Sequence, residues 1–174
     1  YKTPELVRLL KKRGADVQVV LTYSAKEFVT ETTLQAVSGL PVRENIWDKE
    51  AEAAMGHIEL ARWADLVLIA PATAEIMSRL ALGAAPDLLT TLCLATEAPI
   101  VVAPAMNHVM WADPGVQDNR RILKERGVRI LGPAVGDQAC GENGPGRMVE
   151  PEEIVLSIMG RTAGSDVSAL AGRV

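Results

Sequence analysis

Aromatic side chains are scarce in this chain: three Trp, two Tyr and one Phe among 174 residues. Its core must therefore be aliphatic, built from Ala, Val, Leu and Ile. Cysteine is scarcer still, with only Cys93 and Cys140, far apart in sequence. That excludes a disulfide scaffold, and two cysteines with two histidines do not form the clustered pairs of a zinc module. Positive charge is not in excess either: 18 Lys and Arg face 22 Asp and Glu, a net charge of -4. With no basic run and no aromatic–basic interleaving, a nucleic-acid surface is not expected. The longest apolar stretch, from Leu66 to Ala74, is broken by Pro71 and is too short to span a bilayer. The opening Tyr1-Lys2-Thr3-Pro4 has no apolar segment of the kind a signal peptide needs.

What is present reads as one soluble domain. At 48% hydrophobic and 23% charged residues, the chain has ample apolar material for a packed core. Four runs are apolar and β-branched: 17–21, 66–70, 100–103 and the shorter 128–131. Runs apolar throughout are expected to be buried on both faces, as in a parallel sheet covered by helices. Helical spacing falls at 34–38, 51–63, 74–82, 87–95, 116–126 and 151–159. Another helix opens at Thr3-Pro4-Glu5, an expected cap, proline and acid, and ends in Lys11-Lys12-Arg13 before Gly14. The alternation predicts an α/β fold, a three-layer, doubly wound parallel sheet of Rossmann-like type. From Gly132 to Met148 glycine recurs without hydrophobic periodicity, which suggests a long functional loop or flap. Residues 161–174 read as a linker.

In such sheets ligands bind beyond the carboxyl ends of the strands. The segments at that edge are Thr22-Tyr23-Ser24, Pro71-Ala72-Thr73-Ala74 and Pro104-Ala105-Met106-Asn107, with the start of the glycine-rich loop. Hydroxyls and N–H groups before a helix suit a phosphate, although Ser and Thr also stand there simply as caps. No G-x-G-x-x-G follows a strand and no Walker A sequence occurs. Spacing alone leaves His57 a capping or catalytic residue and His108 unassigned. Cys140 lies where a thiol is reachable, and Cys93 reads as core.

Four ordered motifs carry a more specific signal. They are Gly56-His57-Ile58-Glu59-Leu60, Ala70-Pro71-Ala72-Thr73-Ala74, Pro104-Ala105-Met106-Asn107-His108-Val109-Met110-Trp111, and Ala139-Cys140-Gly141-Glu142-Asn143-Gly144-Pro145-Gly146-Arg147-Met148. Together they resemble the flavin-dependent cysteine decarboxylases, most closely the branch acting on 4'-phosphopantothenoylcysteine in coenzyme A biosynthesis. The likeness runs from Tyr1 to about residue 158. Two departures stand out. The family opens with a β-strand and glycine-rich turn ahead of a Tyr-Lys like Tyr1-Lys2, and it commonly carries Met and Asn near Ala85-Pro86.

The resemblance implies a cytoplasmic FMN enzyme occupying 1–160, with 161–174 leading to a covalently linked synthetase domain. It implies oxidation of the cysteinyl thiol to a thioaldehyde, loss of carbon dioxide, and return of the electrons to give 4'-phosphopantetheine. His57 then matches the base near the thiol, Asn107 the grip on the substrate carboxylate, and Cys140 the proton donor. Asp137, Gln138 and Ala139 match a substrate-covering flap, and Thr22, Tyr23, Ser24, Ala72, Thr73, Ala74, Glu75 and Ala105 match FMN contacts. Relatives assemble as homotrimers, or as dodecamers of trimers. The alternatives are a peptidyl-cysteine decarboxylase of lantibiotic maturation, a flavin prenyltransferase, and a non-catalytic FMN-binding regulatory subunit.

Overall fold

The computed structural model describes residues 1–47, 56–138 and 141–160. The chain divides into two units, the first comprising 1–66, 85–98 and 150–174, the second 67–84 and 99–149.

In the first unit, α1 (Thr3–Lys12) begins one residue earlier than the sequence suggests. Lys2 holds the cap position and Pro4 lies in the first turn, where its missing N–H costs nothing. Leu6, Val7 and Leu10 recur at helical spacing and are buried. They pack with α8 (Pro151–Met159), whose Pro151, Ile154 and Val155 are buried in turn. The Lys2 ammonium and Glu150 carboxylate close the pair at 2.7 Å. A short 3-10 turn (Tyr23–Glu27) leads to α2 (Glu31–Ser38). The hydroxyl of Thr30 accepts the Thr33 N–H, and Gly39 ends the helix at φ 77°, a left-handed conformation that glycine adopts without steric cost. Leu21, Leu34 and Val42 form a small core over this region.

The expected strand at 17–21 is not a regular strand. Val20 bridges Arg43 in parallel, with the Leu21 N–H donating to Arg43 O and the Arg43 N–H to Val19 O. Val17 and Leu21 are buried, so the apolar run correctly reported burial. It did not report a ladder, which needs a partner along its length.

Helix α3 (His57–Trp63) and helix α5 (Leu88–Ala95) complete this unit. Of the expected 51–63 helix, residues 51–55 lie outside the described residues. Pro86 falls just before the cap of α5, so it does not interrupt the helix. Asp87 accepts the Thr90 N–H at 2.9 Å while the Thr90 hydroxyl meets the Asp87 N–H, a reciprocal capping box. The Thr96 hydroxyl ties α5 back to the Ala61 carbonyl of α3 at 2.8 Å.

In the second unit, β1 (Val67–Ala72), β2 (Ile100–Pro104) and β3 (Arg129–Ile130) form a parallel sheet in that order. Val101, Val102 and Ala103 are wholly buried, as a run apolar throughout requires. Strand β1 alternates instead, and Pro71 is exposed where the register shifts between Ile69 and Ala72. Helices α4 (Ala74–Leu82), α6 (His108–Ala112) and α7 (Pro114–Glu125) belong to this unit. The glycine-rich segment, expected as an irregular loop, is a hairpin: β4 (Ala134–Asp137) pairs antiparallel with β5 (Asn143–Arg147).

Candidate active site

Both turns that leave the parallel strands are capped. After β1, the Thr73 hydroxyl accepts the Ile76 N–H at 3.3 Å, and the Thr73 carbonyl accepts the Met77 N–H. The first N–H groups of a helix have no acceptor within it. Those of Ala74 and Glu75 are therefore presented at the carboxyl edge of β1. Ala72 is fully buried, and its carbonyl accepts the Ala105 N–H at 2.9 Å, tying the two strand ends together. The Glu75 carboxylate is paired with Arg79 one turn along.

After β2, Asn107 caps α6 with its side-chain oxygen, which accepts the Val109 N–H at 2.8 Å. Its Nδ2 donates to Glu142 Oε2 at 2.7 Å. The two contacts force the amide's orientation, since an N–H requires the oxygen and a carboxylate requires the NH2. Glu142 Oε2 also lies 3.4 Å from His108 Nδ1, an ion pair whenever that imidazole is protonated.

The hairpin is fastened to this turn at several points. The Met106 N–H donates to Gly146 O at 2.9 Å, and the His108 N–H to Gln138 Oε1 at 3.1 Å. A Cβ on Gly146 would lie 2.2 Å from Met106 O, and one on Gly144 would lie 2.8 Å from the His108 Cβ. Glycine is thus required at both positions for the backbone of β5 to reach α6. Asp137 accepts the Asn143 amide at 2.8 Å across the hairpin, and the Gln138 N–H donates to Glu142 O at 2.8 Å. Asn107, Asp137 and Gln138 are thereby brought together. Ala139 and Cys140 lie outside the described residues.

Thr22, Tyr23, Ser24 and His57 belong to the first unit. Thr22 caps the 3-10 turn without a side-chain hydrogen bond, and Tyr23 and Ser24 are exposed. His57 opens α3 directly after Gly56 and is half-buried. The other thiol, Cys93, is buried, which together with the charge of Asp87 pushes its pKa up to about 12. It is kept protonated and unreactive. A shallow groove of about 470 Å³ beside α2, lined by Glu31, Gln35 and Leu40 among others, holds none of the candidate residues.

These residues fit a flavin. Within the second unit, the Ala74 and Glu75 N–H groups suit an oxygen-rich arm of the cofactor, and Ala74 and Ala105 are small enough to admit a flat ring. Sequence reasoning missed Glu142 as a contributor, although it is the only acid in an otherwise neutral or basic stretch from 139 to 148.

A parallel sheet with helices opening at its carboxyl edge is an α/β fold of the kind that takes a ligand at that edge. The chain belongs to the Flavoprotein family, whose model matches residues 1–163. It is 58% identical over 155 residues to the coenzyme A biosynthesis bifunctional protein CoaBC of Vibrio vulnificus, covering 89% of this chain and 39% of that protein. The chain thus spans less than half the length of the curated relatives it matches. Among solved structures, a PPC decarboxylase mutant complexed with pantothenoylaminoethenethiol superposes with a TM-score of 0.77 at 31% identity, covering 90% of this chain and 88% of that one. The FMN binding protein AtHal3 superposes with a TM-score of 0.78 at 30% identity, covering 95% and 91%. Among the described residues, no helix is long and apolar enough to cross a membrane.

Proposed function

We propose that this chain is an FMN-dependent decarboxylase that converts 4'-phosphopantothenoylcysteine to 4'-phosphopantetheine on the route to coenzyme A. The observation that carries the proposal is the Asn107 amide, locked by the Val109 N–H so that its donor end presents to a carboxylate. The likeness to CoaBC and to a PPC decarboxylase supports the choice of substrate.

When bound, FMN supplies an acceptor for two electrons from the cysteinyl CH2–SH, which turns the substrate into a species able to release carbon dioxide. The chain supplies the rest. Asn107 holds the substrate carboxylate through Nδ2 without a formal charge, so the carboxylate is oriented but not strongly stabilised against leaving. His57 takes the thiol proton, a task suited to an imidazole that ordinarily titrates near neutrality. Cys140 returns a proton to the enethiol in the final reduction. Asp137 and Gln138 brace the hairpin beside Asn107, and with Ala139 they are assigned to covering the substrate. Ala74, Glu75, Thr22, Tyr23, Ser24, Thr73 and Ala105 hold the cofactor, and Ala72 secures their edge. In the cell we place the protein in the cytoplasm, as a homotrimer or a dodecamer of trimers, with 161–174 leading into a synthetase domain.

The likeness to the FMN binding protein AtHal3 supports flavin binding, and a second reading stops there, with an FMN-binding protein that does not turn the substrate over. Mass spectrometry of the flavin-loaded protein incubated with 4'-phosphopantothenoylcysteine separates the two. Loss of carbon dioxide to give 4'-phosphopantetheine is expected, and His57→Asn should abolish it. A yellow protein that leaves the substrate unchanged is the binding protein instead.

A further inference from the structure

Asn107 is proposed above to grip a carboxylate, and in this structure its Nδ2 already holds one. The carboxylate belongs to Glu142 of the chain itself, at 2.7 Å. The interaction is charge-assisted, and Glu142 approaches from the end of the hairpin while remaining about half exposed to solvent. The amide oxygen is committed to the cap of α6, so carboxylates are met only at the NH2 end, where a second one would crowd against the charge of Glu142. The backbone carbonyl of Glu142 is fixed by the Gln138 N–H at 2.8 Å, so the side chain starts from a defined position.

We propose that Glu142 is a specificity-determining residue: its carboxylate is an internal competitor for the substrate-carboxylate site on Asn107. The inference rests on the functional reading above and deepens it. A substrate carboxylate displaces Glu142, and the displaced side chain keeps His108 Nδ1 within reach, at 3.4 Å from Oε2 in the present position. Once carbon dioxide has left, the product carries no carboxylate and cannot hold Asn107 against Glu142. The residue thus weakens every carboxylate-bearing ligand by the same factor and leaves the product's affinity alone. It acts through Asn107 and touches no reacting atom.

The test is equilibrium binding to the flavin-loaded, full-length protein with two probes. One is 4'-phosphopantothenoylserine, which keeps the carboxylate and has a hydroxyl in place of the oxidisable thiol. The other is 4'-phosphopantetheine. Glu142→Gln keeps the shape and an acceptor oxygen but removes the charge. For a half-exposed charge-assisted bond, it should tighten the serine analogue about 3- to 10-fold. The same change should appear as a lower KM for 4'-phosphopantothenoylcysteine, and 4'-phosphopantetheine binding should not move. Glu142→Asp, charged but shorter, should fall between wild type and Glu142→Gln. If Glu142 merely supports the hairpin, Glu142→Gln weakens both probes together, and that result overturns the proposal, as does equal affinity of variant and wild type for the serine analogue. Should wild type bind neither probe nor turn over the cysteine substrate, the functional reading itself fails and this inference with it.

Discussion

Two turns leave neighbouring parallel strands in the same unit, and their caps are used differently. After β1, the Thr73 hydroxyl accepts an N–H of its own helix, and beside it the backbone N–H groups of Ala74 and Glu75 have no acceptor within that helix. After β2, Asn107 also caps its helix, but an amide has a second end, and that end faces a carboxylate. A hydroxyl at a cap builds the turn. An amide builds the turn and retains a donor of fixed direction, because the cap hydrogen bond locks its rotation. That difference explains why an asparagine caps a helix and still aims a donor in one direction, whereas the proton of a threonine hydroxyl rotates.

The comparison breaks most visibly at Asn107. Asn107→Ser keeps an acceptor for the Val109 N–H and removes the amide N–H that reaches the carboxylate, so kcat/KM for 4'-phosphopantothenoylcysteine should fall on the order of 10²- to 10³-fold with the melting temperature nearly unchanged. Asn107→Ala should lose the same activity and also about 1 kcal/mol of stability in a denaturant titration. A fully active Asn107→Ser protein would show that the second end of the amide does nothing. At the other turn, Thr73→Ala should cost about 1 kcal/mol of stability, with Thr73→Ser restoring most of it. If Thr73→Ala instead leaves stability intact and weakens flavin binding, the hydroxyl serves the ligand and the two turns are alike.

A third cap gives the smallest effect. Asp87 closes α5, and its charge adds to burial in raising the Cys93 thiol from the usual 9.0 to about 12. The folded protein therefore holds this proton where the unfolded chain releases it. Any stability linked to Cys93 is fully present below about pH 9 and is lost as the pH climbs from there toward 12. Urea midpoints measured across that range should decline less in Cys93→Ala than in wild type. An identical decline would remove Cys93 as its cause.

Much of this arrangement was legible from the residues. The runs giving β1 and β2, and the periodic stretches giving α4, α5, α7 and α8, lie close to where pattern places them, because burial on a sheet or helix face selects apolar side chains at a readable spacing. The 17–21 run shows the limit of that signal: burial can be read from Val17 and Leu21, whereas pairing depends on a partner such as Arg43 that no local pattern reveals. Helix α6 has only five residues, none of them buried, and so lacks an apolar stripe to betray it. Within the site, Asn107 was visible through its motif. Glu142 stood in a quoted motif unassigned, since its importance arises only when the hairpin folds back over α6.

Strand β5 also escaped notice because its alternation is written in glycine. Gly144 and Gly146 are buried, while Asn143 and Pro145 between them are exposed. In a saturation scan, this strand should show intolerance at every second position, although it has no hydrophobic residue to lose. The two closed positions would mark where the hairpin must lie against α6, and the two open ones where related enzymes can vary without loosening Asn107. Parity along β5 is therefore what divides the variable part of the hairpin from the part that inheritance must leave alone.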